Sequence, residues 1–411
     1  MERVVQKLAG AAALALIATG CSCVADFRSF EVEVEGDGGA PVDAEADGGG
    51  GLAYDAIVAG DEHFCVLSAG EVACWGDNRR AQVSPSEALF FDAPVPVSLG
   101  GLAIALAADG DRSCAVLSDR RVWCWGAGVG LVVGGDILPT PTDIGLFDVR
   151  ALTIGGAHVC ALHTDGSVSC RGDNGEGQLG RGDREGSDAP VTVAGLEASQ
   201  IAAGGSHSCA LLTDRTVRCW GDNVRFAAGG ESQGDFLEPG PRLAPSEGTP
   251  LDDVTAIRCG EGACCAASST VSSRGVYCWG DNEWSVLGPS VPRSEGSSRN
   301  DSGRPLLALA GETEALDLHD AVCAVQGGEV FCWGSTTFGQ LGDGIRLDLA
   351  VRAAPAAVSG LPPVQDVAVG LSRACAVAGD AIWCWGTVRR LGDAGTFEEV
   401  RFDAEPARLP R

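Results

Sequence analysis

The sequence predicts an all-β chain folded as a β-propeller. Three observations carry that expectation: a unit of short apolar runs and Gly-rich turns that repeats along the chain, a cysteine pair at a fixed place in each unit, and a Trp that recurs at one phase. Units of about fifty residues are each too small to bury both faces alone, and stacking them side by side is how such chains build a core.

The unit is an apolar strand, a Gly, a Cys, a short hairpin and then Cys-Trp-Gly. It reads Gly60, Cys65, Cys74-Trp75-Gly76, then Cys114, Cys124-Trp125-Gly126, then Gly156, Cys160, Cys170-Arg171-Gly172. The series continues through Gly205, Cys209, Cys219-Trp220-Gly221, then Gly262, Cys265, Cys278-Trp279-Gly280, then Cys323, Cys332-Trp333-Gly334, and ends with Gly370, Cys375, Cys384-Trp385-Gly386. The Trp stripe is expected to fill the wedge between neighbouring blades, because one large side chain at one phase meets the same gap each time. Arg171 breaks the stripe and is expected at a looser junction.

The stretch Ile201-Ala-Ala-Gly-Gly-Ser-His-Ser-Cys-Ala-Leu-Leu, followed by Val217-Arg-Cys-Trp-Gly-Asp-Asn, resembles the repeats of the regulator of chromosome condensation (RCC1) family. Gly172-Asp-Asn-Gly-Glu-Gly-Gln-Leu-Gly and Phe338-Gly-Gln-Leu-Gly-Asp-Gly match that family's second signature, and the resemblance spans residues 54–411. Periodicity alone leaves six or eight blades open; the resemblance implies a closed ring of seven. It also implies a binding module, since some such propellers are guanine-nucleotide exchange factors for a small GTPase and others are secreted inhibitors that clamp an enzyme with their loops.

Cysteine spacing carries a separate argument. Between Cys160 and Cys170 the chain reads as two strand ends joined by the three-residue turn Thr164-Asp165-Gly166, with Gly166 where positive φ is wanted. Such cysteines face each other across an antiparallel pair, at a separation a disulfide tolerates. The expected pairs are Cys65/Cys74, Cys114/Cys124, Cys160/Cys170, Cys209/Cys219, Cys265/Cys278, Cys323/Cys332 and Cys375/Cys384, the first and its eight-residue interval suiting a four-residue turn. Of the other four, Cys259 pairs with Cys264 and Cys23 is left single if Cys21 is lipidated. Zinc is the rival reading, but the pairs are spread evenly and lack neighbouring partner ligands.

Ahead of the repeats, residues 1–20 read as a lipoprotein signal peptide: Arg3 and Lys7, an apolar run from Leu8 to Ala18, then Ala18-Thr19-Gly20-Cys21. Cys21 is the expected lipidation site and first mature residue. Residues 21–53, acidic and holding Gly48 to Gly51, read as a flexible tether with a coil dimension of roughly 30 Å. The whole places the propeller (54–411) in the cell envelope, at the outer membrane or cell surface, or secreted. Eighteen cysteines suit that oxidising setting.

Net charge is −27, and removing Glu2, Arg3 and Lys7, together +1, leaves −28. Such a chain repels nucleic acid and anionic lipid, so membrane contact is expected through the lipid anchor only. Lys7 is the sole lysine, which leaves a mature domain without a phosphate-loop or Schiff-base lysine. Gly230-Glu231-Ser232-Gln233-Gly234 matches a hydrolase nucleophile elbow but falls in a long loop between strands rather than at a strand-to-helix turn. The turn Gly172 to Gly177 invites a calcium reading, yet its spacing is that of ordinary Asp-Asn-Gly turns. The two Arg-Gly-Asp strings at 171–173 and 181–183 belong to the same Gly-rich turn. His63, His158 and His207 share one repeat position, two before the first cysteine, and read as structural; His163 and His319 fall in no metal-spacing motif. Neither a catalytic set, a metal nor a cofactor is expected.

Length varies mainly after the Cys-Trp-Gly strand, at 127–146, 223–246 and 282–304. Insertions at one phase project from one face of a ring, and that face is where partners bind. Phe226, Phe236 and Trp284, aromatic residues set among polar ones, are the expected partner anchors. The expected function is recognition of a protein, with a glycan as the lesser alternative, by a monomer. Exchange activity follows by family analogy only, and an envelope hydrolase is the reading from a different class.

Overall fold

The computed structural model describes residues 54–128, 137–245, 251–269, 274–291, 301–344, 351–391 and 397–408. The leader, Cys21, Cys23 and the tether lie outside the described residues, as do 129–136 and 292–300 of two of the long loops. All regular structure described is β, arranged as seven antiparallel sheets, six of four strands and one of three.

Each sheet is one contiguous stretch of chain, with strands paired in sequence order. The innermost strands are Ala56–Ala59, Ala103–Asp109, Val149–Ile154, Ala198–Ala203, Val254–Cys259, Ala315–Leu318 and Asp366–Val369. They surround a central channel with a cavity volume of about 470 Å³. Ring closure involves no exchanged strand. Ile57, Phe64, Val66 and Trp75 of the first blade share one apolar cluster with Ala368, Cys375, Val377 and Ile382 of the seventh, and the Ile57 amide donates to Asp366 Oδ2 at 3.1 Å.

The second and third strands of every blade form the hairpin that the cysteines staple. In all seven the two cysteines are directly opposed, with Cα atoms 4.0 to 4.2 Å apart. Turn chemistry sets the register. Thr164-Asp165-Gly166 turns with Gly166 at φ 87°, whereas Cys65/Cys74 closes over the two-residue loop Ala69-Gly70, both left-handed, so the four-residue turn counted from Ser68 to Glu71 has only two residues outside the ladder.

Packing between blades joins the two signatures of the repeat. The indole Nε1 of Trp125 donates to Gln82 O, Trp220 to Gln178 O and Trp385 to Gln340 O, at 2.8 to 2.9 Å. Trp279 and Trp333 reach Ala227 O and Val286 O at the same place. Each Trp of the stripe is at most 1% exposed, so truncation to Ala is expected to cost about 3 to 5 kcal/mol. Trp75 faces the seventh blade, whose third strand runs straight on to Leu391 instead of turning after Gly386, and its Nε1 has no partner among the described residues. Arg171, at the Trp position of blade three, is buried and donates to Ile144 O at 2.7 Å.

Blade four has three strands because residues 236–243 replace the fourth irregularly. Phe236 bridges Gly221 through both amides, Gly240 N donates to Cys219 O, and Leu243 N donates to Val217 O.

Candidate functional site

A Gly-x-x-His spacing at three blade junctions explains itself in space. The rings of His63, His158 and His207 fold back over Gly60, Gly155 and Gly204, where a Cβ would lie about 2.3 Å from ring carbon. Nε2 of His63 meets Ser113 Oγ at 2.7 Å and that of His158 meets Ser208 Oγ at 2.8 Å, each on the next blade. Burial lowers their pKa values to about 4 for His63 and His207 and about 3 for His158, so at neutral pH these are uncharged joints.

Both ends of a blade's strands have a side of the ring. The turns between first and second strands and the loops between third and fourth strands lie on one face, because each strand reverses the direction of the last. That face therefore carries all three long loops and also the charged mouth of the channel.

Asp61 and Glu261 in turns, and Asp109 at the end of an innermost strand, line the channel at that mouth with Arg112 and His319, and Asp111 and Asp320 stand in the adjoining turns. Arg112 pairs with Asp109 at 2.8 Å, and His319 Nε2 donates to Asp61 Oδ1 at 3.2 Å. Burial pulls the His319 pKa down, but hydrogen bonds and charge from Asp320 and Asp61 outweigh it and hold the ring well above 6.5. Burial pushes Asp109 up to about 6 against the pull of Arg112.

Deeper in the channel Arg258 lies 3.7 Å from Asp317, whose other oxygen accepts the Val369 amide at 2.7 Å. Asp366 is raised to about 7, chiefly by burial and with help from the charge of Asp317. Asp317 and Asp366, with Gln200 and Thr153, accept amides from the neighbouring blade's innermost strand, so part of the channel's polarity is structural. Sequence reasoning missed these groups. The signal available was a charged residue in innermost-strand positions where most other repeats hold Ala or Val.

The loops of blades three, four and five are tied to one another. Arg184 of the third blade pairs with Asp235 of the fourth, Arg225 of the fourth with Asp281 of the fifth at 2.8 Å, and Arg304 of the fifth with Glu231 of the fourth. Backbone bonds from Gly182 N to Leu237 O and from Gly230 N to Gly303 O run beside them. Phe226, Phe236 and Trp284 all stand in these loops, and all three are partly buried. Phe236 packs against the apolar clusters on both sides of blade four, and Trp284 against that of blades five and six. Phe226 holds φ 63° at the place where Gly177 and Gly339 stand in other blades, an uncommon conformation for a bulky residue. Val224 beside it is 59% exposed.

The other motifs have local explanations. Ser232 of the Gly-x-Ser-x-Gly string lies in bends, its carbonyl accepting from Asn223, and no helix follows among the described residues. Asn174 is occupied with Asp183 O, Glu185 O and the Leu179 amide, and Arg181 with the carboxylate of Asp183.

Sequence profiles of the regulator of chromosome condensation (RCC1) repeat match residues 149–178 and 198–226, and also 165–211 and 327–377. With seven sheets in a ring, those matches decide the family. The chain is an RCC1-like repeat propeller. Among solved structures, Prp20p from Saccharomyces cerevisiae, described with its binding properties to Gsp1p and histones, is 22% identical, covering 76% of this chain and 80% of that one with TM-score 0.62. Yeast RCC1 (Prp20) in complex with Kap60 is 18% identical over 92% and 91%, with TM-score 0.67. Human WBSCR16 is 20% identical over 80% and 87%, with TM-score 0.66. At these identities the likeness concerns the fold. In this RCC1-like chain a disulfide crosses every blade hairpin.

Proposed function

We propose that this RCC1-like propeller is an exported binding module, anchored through Cys21, that recognises a protein partner on its long-loop face. The observation that supports the reading most is the set of ion pairs joining the loops of blades three, four and five. Loops already held together lose little freedom when a partner docks, which is how a modest contact area becomes a specific one. Val224 and the exposed edges of Phe226 and Trp284 supply apolar contact within a polar surround.

Partner chemistry follows from charge. Five carboxylates stand at the channel mouth with one arginine and one histidine, in a chain of net charge −27. The fitting partner presents cationic side chains, and its affinity falls as salt is added. The reported partners of the yeast propellers, Gsp1p, histones and Kap60, agree with protein recognition as the general use of the fold.

The test immobilises the full oxidised chain and challenges it with envelope and secreted proteins at low and high salt. Val224→Asp on the loop face should abolish retention, and Phe147→Ala on the opposite face should not. Equal retention by both variants would reject the assigned face.

A further inference from the structure

Blade five holds a second disulfide that no other blade has. Cys259, the last residue of the innermost strand, is bonded to Cys264, directly opposite on the second strand. The hairpin does not require it, because Cys265–Cys278 already staples that blade in the manner of the other six. At the position of Cys259 the other blades carry Ala59, Ala108, Ile154, Ala203, Leu318 and Val369, and their innermost strands pair normally.

Accessibility separates this bond from the rest. The fourteen hairpin cysteines are at most 1% exposed. Cys259 is only partly buried and lines the central channel beside Gly260 and Glu261, next to the charged mouth. Its partner Cys264 is fully buried, with Cys209 Sγ 3.7 Å away and His207 Nε2 3.0 Å away. A thiol entering the channel therefore meets Cys259 and cannot meet Cys264.

We propose that Cys259–Cys264 is a thiol–disulfide exchange site, opened by a small dithiol reductant that enters through the channel mouth. A thiolate of the dithiol attacks Cys259 Sγ, forming a mixed disulfide as the Cys259–Cys264 bond breaks. The electron pair goes to Cys264 Sγ, which leaves as a thiolate and takes up a proton. His207 occupies the place from which His63 and His158 hold Ser113 and Ser208, and its Nε2–H donates to the departing sulfur. The second thiol of the reductant then attacks its own sulfur in the mixed disulfide and releases Cys259. The reductant ends oxidised by two electrons to its disulfide, and the protein ends with two thiols. Reduction frees the turn 260–262 from its covalent tie, at the mouth to which the partner reading assigns recognition; the exchange chemistry itself does not depend on that reading.

The experiment treats the full oxidised chain, without denaturant, with graded dithiothreitol. Each sample is quenched in acid, unfolded, alkylated and mapped by peptide mass, while circular dichroism follows the fold. Cys259 and Cys264 should become alkylated together, about ten-fold or more sooner than any hairpin cysteine, with the fold intact. His207→Asn should slow that step several-fold and leave hairpin reduction unchanged, a split that a merely structural role would not produce. The proposal is overturned if Cys259 and Cys264 open no sooner than Cys209 and Cys219, or only as the whole chain unfolds.

Discussion

Taking the chain from pH 7 to pH 5 charges every histidine of the unfolded state, while His63, His158 and His207 stay neutral in the folded one. Their folded pKa values are depressed to about 4, 3 and 4 from 6.5. A histidine with a depressed folded pKa contributes stability that is present above 6.5 and is lost as pH falls from there toward the folded value. Each should cost about 2 kcal/mol between pH 7 and 5, and the three together about 5 to 6 kcal/mol. Asp366 and Asp109 act in the opposite sense: their pKa values are raised to about 7 and about 6, so protonation favours the folded chain and the net wild-type loss is smaller than the histidine sum. Variants isolate the effect. Guanidinium unfolding of the oxidised chain at both pH values should show His63→Gln, His158→Gln and His207→Gln each losing about 2 kcal/mol less than wild type on acidification, whatever their stability at pH 7. A triple variant with the wild-type pH dependence would refute the argument that these joints are buried and neutral.

Three further predictions follow from the packing and the N-terminus. Trp125→Phe gives up its bond to Gln82 O, while Trp75→Phe has no indole bond to lose; the first should cost about 1 kcal/mol more, read by denaturant midpoint. Phe226→Gly relieves a left-handed backbone worth roughly 1 kcal/mol but removes a loop-face aromatic, so stability should change little while partner retention drops. Cys21→Ser should move the protein from the membrane fraction to the soluble one, measured by detergent partitioning; unchanged partitioning would dismiss the lipid anchor.

How much of this was legible in the sequence depends on where the repeat is regular. Hairpins read clearly because Cys, Trp and turn glycines recur at fixed spacing, and their physics is local. The innermost and outermost strands read poorly. Ser187–Thr192 is largely exposed and polar, and Ala103–Asp109 is mostly small residues, so neither shows the alternation that marks a half-buried strand. Phe236 looked like a loop aromatic because its sequence neighbours are polar, but the missing fourth strand of blade four gives it a ledge to pack on. The channel carboxylates were hidden by abundance: with 56 acidic residues in the chain, only their convergence in space singles out Asp61, Asp317 and Asp366. Ring closure was hidden for a similar reason, since it depends on contacts between the two ends of the domain, Ile57 with Asp366 and Leu371 with Asp61.

Whether the long-loop face binds a protein can be read from a crosslinking map of the contact. The full oxidised chain carrying a photoreactive residue at Val224, and separately at Phe147 on the opposite face, would be exposed to envelope proteins and irradiated. Val224 should give one adduct, suppressed by salt, and Phe147 none. Adducts from Phe147 alone, or from neither site, would show that the long-loop face is not where a protein binds.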